Sequence, residues 1–298
     1  MRPRTDLLAM LYDLLGMLAF ISYAVLVVII VLRVVMTRRA IGVSLAWLTL
    51  IFTIPILGIS LYLLFGEIRL GRKRVERARA MYEPYARWIS ELVSQFPHQP
   101  AMATEGARPL SELVDSRLGS PMLSGNRVEL LTEPYAILFA LAQDIREATA
   151  SCYLEFYIWQ TGGWADQVAE ALIDAAARGV DCRLLLDSVG SAGFFKGPWP
   201  ERLQTAGVKL VEVLPAGAWR IPLQRQDLRM HRKLVVIDDR VAYTGSMNLV
   251  DPRFFKRSAG VGQWIDVMLR LHGPIVPLIW SLFVRDWEME TGERLLDS

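Results

Sequence analysis

Two long uncharged runs near the N-terminus limit what this chain can fold into. Leu14 to Leu32 and Ile41 to Phe65 span about nineteen and about twenty-five residues without a charged side chain. At 1.5 Å of rise per residue, a helix of either length can cross a hydrocarbon core of roughly 30 Å. The first run is too long for the apolar core of a cleaved signal peptide, and no small-residue cleavage site follows it. The sequence therefore predicts a transmembrane helical hairpin over residues 1–66.

Basic residues around this hairpin predict its orientation. The link between the runs carries three arginines, and the two outer flanks carry eight basic residues. Because cytoplasmic flanks are enriched in Lys and Arg, both ends of the hairpin are expected in the cytoplasm. The residues counted are Arg33, Arg38 and Arg39 in the link, and Arg2, Arg4, Arg69, Arg72, Lys73, Arg74, Arg77 and Arg79 in the flanks. The stretch from Arg69 to Arg79 fits either contact with anionic lipid head groups or a solvated helix face.

The rest of the chain changes character twice. Residues 67–124 combine the basic stretch, one helical pattern and several prolines, which indicates a juxtamembrane helix followed by a linker. Residues 125–298 alternate short β-branched and aromatic runs with helical patterns, which is typical of a layered α/β domain. The predicted fold class is therefore α/β, with an N-terminal transmembrane helical hairpin and one layered α/β domain.

The amino-acid composition excludes few classes of function. The formal net charge of +2 says little about partners, and the hydrophobic excess lies mainly near the N-terminus. Cys152 and Cys182 each lie in a predicted strand, where we expect buried thiols rather than a disulfide or a metal pair. No CxxC occurs and the three histidines are scattered, so no zinc site is predicted.

The most informative stretch brings several polar groups to one end of a predicted hairpin. His231 and Lys233 are two residues apart at the start of a strand, so their side chains leave on the same face. The returning strand brings Gly245, Ser246 and Asn248 back to that end. A phosphate suits this group: Lys233 supplies charge, Ser246 and Asn248 supply polar groups, Gly245 allows close approach, and His231 can act as nucleophile or proton carrier. On spacing alone, a strand pair with a surface His and Lys remains an alternative.

The spacing HxKxxxxD followed by GSxN resembles the phospholipase D signature. The flanking segments DLRMHRKLVVID, TGSMNLVDPRFFK and VGQWIDVMLRLHGP, together with the hairpin, are similar to bacterial cardiolipin synthases. The resemblance covers essentially the whole chain, and many fixed positions agree at once. The matching positions are His231, Lys233, Asp238, Gly245, Ser246 and Asn248.

This resemblance implies roles for individual residues. His231 corresponds to one of the two active-site histidines of a complete enzyme. One of these forms a phosphohistidine, and the other protonates the leaving alcohol and then activates the incoming one. Lys233 and Asn248 correspond to phosphate-binding groups, Ser246 to a supporting donor, and Asp266 to the acid that holds the nucleophilic histidine.

Three further acidic residues each fit two different roles. Asp238 belongs to the signature, but its place at a strand end fits a structural role as well as a catalytic one. Glu155 and Asp187 are candidates for the rim of the site, and strand-end capping or a buried ion pair also explains them. The resemblance implies no metal or organic cofactor, because Lys and His perform the work of a metal.

The implied reaction transfers a phosphatidyl group from one phosphatidylglycerol to the hydroxyl of another, giving cardiolipin and glycerol. The resemblance also implies a multi-pass protein of the bacterial inner membrane with its catalytic domain in the cytoplasm. It implies no nucleic-acid partner. A hydrolytic phospholipase D and an inactive membrane-anchored module are the alternatives. The relatives carry two motifs and this sequence carries one, so we expect a fragment or truncated product, a homodimer, or a second motif-bearing chain.

Overall fold

A computed structural model describes residues 3–37, 40–66, 72–96, 106–118, 122–215, 229–254, 260 and 264–296. The chain divides into two compact units, with the boundary between Arg69 and Leu70. The first unit is helical, and the second contains one mixed sheet with helices. Of the residues counted for topology, Arg2, Arg38, Arg39 and Arg69 lie outside the described residues.

The first unit contains helices α1 (Pro3–Met36), α2 (Ile41–Thr53) and α3 (Pro55–Leu61), and it ends in a π-helical turn (Tyr62–Gly66). Within α1, Tyr12–Met36 is long and apolar enough to cross a membrane, with a mean hydropathy of 2.8 over 25 residues. The second apolar run is divided at Ile54, whose φ of −133° and ψ of 76° are not helical. Proline disfavours the helical conformation in the residue before it, which explains this break. The described residues thus contain one helix of spanning length where the sequence predicts two.

Apolar side chains of α1 and the following helices share a small core. Ile30, Val34 and Ile51 are buried in it, and the rings of Trp47 and Tyr62 meet edge to face with centroids 5.4 Å apart. Most other apolar side chains of Tyr12–Met36 are exposed. An exposed apolar surface of this extent is typical of a helix whose solvent is lipid.

The second unit is built on one seven-stranded sheet in the order β1-β7-β6-β5-β2-β3-β4. Strands β2, β3 and β4 run parallel to one another, and the pairs on the other side of β2 are antiparallel. The strands are β1 (Arg127–Leu131), β2 (Ser151–Phe156), β3 (Asp181–Asp187), β4 (Lys209–Val213), β5 (Lys233–Ile237), β6 (Val241–Gly245) and β7 (Met268–His272). The central strands β2 and β5 are buried throughout, as expected of strands covered on both faces.

Helices cover both faces of this sheet, which confirms the layered α/β architecture. One core lies between the sheet and α6 (Pro134–Glu147) and α7 (Trp164–Ala177), and it contains Cys152 and Cys182 as buried free thiols. The opposite core lies under α10 (Ile275–Thr291), where Tyr153 stacks on Phe283 at 5.2 Å. Short helices α8 (Ala192–Phe195) and α9 (Trp199–Thr205) follow β3.

The segment predicted as a short helix and linker contains two helices, α4 (Arg72–Ser94) and α5 (Arg108–Leu118). Helix α4 packs along α10. The rings of Trp88 and Trp280 lie 5.4 Å apart, and the Tyr85 hydroxyl donates a hydrogen bond of 2.7 Å to Ser281 Oγ. Helix α4 lies where the juxtamembrane helix is predicted, and its aromatic residues add a tertiary contact with α10 that the local pattern does not encode.

Two of the basic residues of α4 stabilise the end of α10. Arg77 Nη1 donates to the carbonyl oxygens of Met289 and Glu290, each at 2.7 Å, and Arg74 forms an ion pair with the Glu290 carboxylate. The last carbonyls of a helix lack partners within the helix and carry partial negative charge, so a guanidinium there is favourable. Arg74 and Arg77 are therefore structural, and neither a lipid contact nor a solvated face describes them.

Candidate active site

A tight turn sets the geometry of the site. Asp238 and Asp239 have φ values of 50° and 52°, and Arg240 N donates to Ile237 O at 3.0 Å, which closes a tight turn between β5 and β6. The register that results pairs Leu234 with Thr244. The start of β5 and the end of β6 therefore lie side by side, and the residues just before β5 and just after β6 meet at one end of the sheet.

Lys233 opens β5 with a largely buried side chain, 7% exposed. Its Nζ donates to the carbonyl oxygen of His231 at 2.7 Å and lies 5.5 Å from the centroid of the Tyr157 ring. Burial lowers the pKa of Lys233, and the nearby Asp266 carboxylate opposes this shift. The ammonium is thus held in a fixed position at the end of the hairpin.

The ring of His231 is solvent-exposed and rests on Tyr157, with centroids 4.4 Å apart at an angle of 43°. Tyr157 follows the last pair of the β2–β5 ladder, Phe156 with Lys233, so it lies beside the residues that precede β5. The sequence analysis did not single out Tyr157. Its position directly after the buried strand β2, at the end where the site lies, is the signal that could have identified it.

Asn248 presents a hydrogen-bond donor at the same end. Its Oδ1 accepts from Ile158 N at 3.0 Å, which fixes the orientation of the amide. Among the described residues, none accepts a hydrogen bond from its Nδ2. The amide can therefore donate to a phosphoryl oxygen without breaking an existing bond.

Ser246 and Asp266 form a pair of their own. Ser246 Oγ donates to Asp266 Oδ1 at 2.7 Å and accepts from Val267 N at 3.0 Å. Within the described chain, Asp266 forms no hydrogen bond with His231, so the contact expected from the resemblance is not made here. Its carboxylate acts on Lys233 through charge, and its role in holding the histidine stays a prediction.

Gly245 has a structural role that the sequence analysis did not predict. A Cβ atom there would lie 2.2 Å from Val267 O and 2.8 Å from Met268 Cα. The glycine therefore permits the close approach of β6 to β7, whereas the sequence analysis assigned its small size to the approach of phosphate.

Asp238 lies at the opposite end of β5 from Lys233 and caps the start of β2. Its carboxylate accepts hydrogen bonds from the backbone of Thr149 at 2.9 Å, Ala150 at 2.7 Å and Ser151 at 2.9 Å. Burial alone would raise the pKa of Asp238, but these hydrogen bonds outweigh it and lower the pKa. These contacts favour the structural alternative for Asp238, and its catalytic role stays a prediction.

Asp187 forms a buried ion pair, in agreement with the alternative to a rim role. Arg229 Nε donates to both of its oxygens, at 2.8 Å and 2.9 Å, and the backbone N–H groups of Val189 and Gly190 donate to Oδ1. Arg229 Nη2 also donates to Ser188 Oγ at 2.6 Å. This network fixes the chain two residues before His231.

Glu155 lies in β2 beneath Arg232, and its side chain is fully buried. Arg232 Nη1 is 3.8 Å from Glu155 Oε1 and is hydrogen-bonded to Asp286. Burial and the neighbouring Asp286 carboxylate raise the pKa of Glu155. Glu155 and Asp286 together hold Arg232, which lies between His231 and Lys233 in the chain. Glu155 is therefore buried beneath the site and is not on its rim.

A mixed sheet that gathers an exposed imidazole, a buried ammonium and an available amide at one end defines a domain suited to phosphodiester chemistry. Residues 141–265 match a family model described as "Cardiolipin synthase, PLD-like domain", and residues 25–67 match one described as "Phospholipase_D-nuclease N-terminal". The chain belongs to the phospholipase D superfamily and carries the PLD-like domain of cardiolipin synthases.

The chain is also similar to individual proteins, among curated relatives and among solved structures. The chain is 47% identical over 285 residues to cardiolipin synthase A of Escherichia coli strains K12 / DH10B and O139:H28, which covers 96% of this chain and 59% of each relative. The chain thus spans 59% of the length of these relatives. Among solved structures, Nuc from Salmonella typhimurium aligns with a TM-score of 0.42 at 17% identity, over 55% of this chain and 96% of Nuc. NucT from Helicobacter pylori aligns with a TM-score of 0.40 at 18% identity, over 55% and 98%.

Proposed function

We propose that this chain supplies one half of a cardiolipin-forming phosphatidyltransferase site. The reaction moves the phosphatidyl group of one phosphatidylglycerol to the head-group hydroxyl of another and releases glycerol. The observation that carries the proposal is the convergence of His231, Lys233 and Asn248 at one end of the β5–β6 hairpin. The 47% identity to cardiolipin synthase A supports the choice of lipid substrate.

Each group has a distinct task in this proposal. Lys233 neutralises a phosphoryl oxygen, and Asn248 Nδ2 donates a hydrogen bond to another. Both act on charge that grows in the transition state, where fixed donors are most effective. His231 is exposed for reaction, and its contact with Tyr157 restricts the orientation of the ring. Asp266 keeps the Ser246 hydroxyl in place beside them.

Transfer requires two histidines in opposed roles. The nucleophilic imidazole forms an N–P bond while the P–O bond to the leaving glycerol breaks, and the second histidine gives that oxygen its proton. The second histidine then takes the proton of the acceptor hydroxyl, whose oxygen bonds to phosphorus as the N–P bond breaks. The 298 residues contain a single HxK sequence. We propose that the second histidine comes from another motif-bearing segment or from a second copy of this chain across a two-fold axis.

The proposed location is a bacterial inner membrane, with two membrane-spanning segments and the α/β domain on the cytoplasmic side. The apolar helix at Tyr12–Met36 supports membrane association. The second apolar run and the balance of basic residues support two crossings with both ends in the cytoplasm. Reporter fusions at Ser298 that are active only in the periplasm would contradict this orientation.

The function is tested with the full chain reconstituted in phosphatidylglycerol vesicles, alone and with a chain carrying the second motif of a cardiolipin synthase. Cardiolipin and glycerol should form in equal amounts, and His231→Ala should abolish both. His272→Gln is the matched control, because His272 pairs with Val241 at the other end of the sheet. Absence of cardiolipin under both conditions at every protein density, or normal turnover by His231→Ala, would refute the proposal.

A further inference from the structure

A cavity in the α/β unit lies beside His231. It has a volume of about 610 Å³ and lies between α4, α10, the end of β4 and the segment that precedes β5. His231 and Arg232 form part of its wall. Pockets of roughly 300–1,000 Å³ are the usual size for a bound small molecule. The cavity is therefore large enough for the head group and glycerol region of a lipid.

One face of α4 forms a wall of this cavity. Val75, Ala78, Arg79 and Tyr82 line it, and their spacing of three, one and three residues places them on a single helix face. Tyr82 is 75% exposed, although its ring is large and apolar. Tyr85 and Trp88, about one and two turns after Tyr82, contact α10 and border this face. The four lining residues thus form a mostly apolar surface with one cation, on which Ala78, Arg79 and Tyr82 are exposed.

The cationic groups in the wall are not equivalent. Arg74 is paired with Glu290, Arg229 with Asp187, and Arg232 with Asp286. Within the described residues, Arg79 forms no hydrogen bond and no ion pair. Arg79 is therefore the cation in this wall that can neutralise a ligand without giving up a protein partner.

The chemistry of the acceptor lipid explains why an unpaired cation such as Arg79 would be needed in this cavity. Phosphatidylglycerol differs from water as an acceptor because it carries its own phosphodiester, one glycerol's length from the hydroxyl that reacts. When this hydroxyl is at the phosphorus held by His231, the acceptor phosphate must lie in a neighbouring space. A charged phosphate placed there would lose part of its hydration, and without a cation nothing would compensate this cost. Guanidinium groups bind phosphate through charge-assisted hydrogen bonds.

Resting on the proposed function, we infer that this cavity binds the acceptor phosphatidylglycerol, with Arg79 holding the acceptor phosphate. The aliphatic wall, which includes Val75, Ala78 and Met289, contacts the glycerol and the first part of the acyl chains. Arg79 is a specificity-determining residue in this arrangement, because it favours a phosphate-bearing alcohol over water.

Binding is measured with dihexanoyl-phosphatidylglycerol, a water-soluble probe, by titration calorimetry on the full chain in detergent. The background variant Lys233→Met disables the donor phosphate site and leaves the cavity. Adding Arg79→Gln should weaken binding about ten-fold, as expected for the loss of one charge-assisted hydrogen bond. Arg87→Gln is the matched control, because Arg87 is an exposed arginine two turns further along α4 and does not line the cavity.

A second pair of variants tests the apolar part by filling space. Ala78→Trp should abolish binding, since Ala78 is an exposed residue of the wall, and Ala86→Trp, two turns along the same helix, should not. Equal binding by each variant and its control would overturn the inference, as would no binding to the Lys233→Met background. Displacement of the probe by an equal concentration of inorganic phosphate would also overturn it, because it would show an anion site without lipid specificity.

Turnover gives an independent readout of the same inference. In the reconstituted assay, Arg79→Gln should lower the ratio of cardiolipin to phosphatidic acid, the product of transfer to water, by about the same ten-fold factor. An unchanged ratio contradicts the assignment of Arg79 even when transfer occurs. Failure of all transfer with intact binding contradicts the proposed function instead, so the two failures are distinguishable.

Discussion

The buried pair of Asp187 and Arg229 offers a strong test of how the site is held. Their side chains are 0% and 2% exposed, and Arg229 lies two residues before His231. Removing one partner of a buried pair leaves an uncompensated charge and costs about 3–5 kcal/mol. We therefore expect Arg229→Met to lower the free energy of unfolding of the α/β domain by this amount, because the Asp187 carboxylate would remain buried without its cation.

This cost converts into a measurable change in melting temperature. For domains of 150–250 residues, each kcal/mol shifts Tm by roughly 2–4 °C, so the expected loss is about 6–20 °C. The double variant Asp187→Leu with Arg229→Met removes both charges and should recover much of this loss, since a buried pair can be replaced by apolar groups at little cost. Thermal unfolding followed by tryptophan fluorescence in detergent measures all three proteins under the same conditions.

Two results would refute this reasoning. A Tm of Arg229→Met within about 2 °C of the wild type would show that the carboxylate finds water or another partner at little cost. A double variant no more stable than the single one would show that lost packing, and not an unpaired charge, dominates. Arg202→Met is the control, because Arg202 pairs with Glu170 at the surface, where such pairs contribute at most about 1 kcal/mol.

Three further predictions concern single residues of the hairpin and its turn. Lys233→Met should reduce kcat on the order of 10²-fold or more, measured as initial cardiolipin formation, because it removes a fixed positive charge from the developing phosphoryl charge; wild-type kcat would contradict this. Asp238→Asn should lower Tm at pH 7. The folded pKa of Asp238 is depressed, so its stabilisation is present above the unfolded pKa of about 3.9 and is lost as pH falls through the folded pKa; a difference in Tm that persists in strong acid would oppose it. Gly245→Ala should cost about 1–3 kcal/mol, read as a lower Tm, because the added Cβ collides with Val267 O, whereas Gly193→Ala meets no atom within 4 Å and should not.

Local sequence patterns were sufficient for the hairpin that carries the site. Leu234 to Ile237 is a continuous apolar run, and the polar residues after it predict a turn, so the pairing of β5 with β6 could be predicted from neighbouring residues alone. Once that pairing is known, a period of two along a strand places His231 and Lys233 on one face and returns Asn248 to their end. The apolar helix at Tyr12–Met36 is predictable for the same reason, because its length and lack of charge are properties of one continuous segment.

The remaining features depended on contacts between residues far apart in the chain, which no local pattern encodes. Asp238 is structural because three N–H groups about 90 residues earlier point at its carboxylate. Tyr157 orients His231 because β2 happens to pair with β5. The sequence by itself determined which chemical groups this protein carries at the end of its hairpin. The tertiary structure decided which of them stay accessible at that end and which hold the chain in place. It also decided that α4 and α10 line a cavity beside His231. Burial and the choice of partners are set only when distant segments pack together.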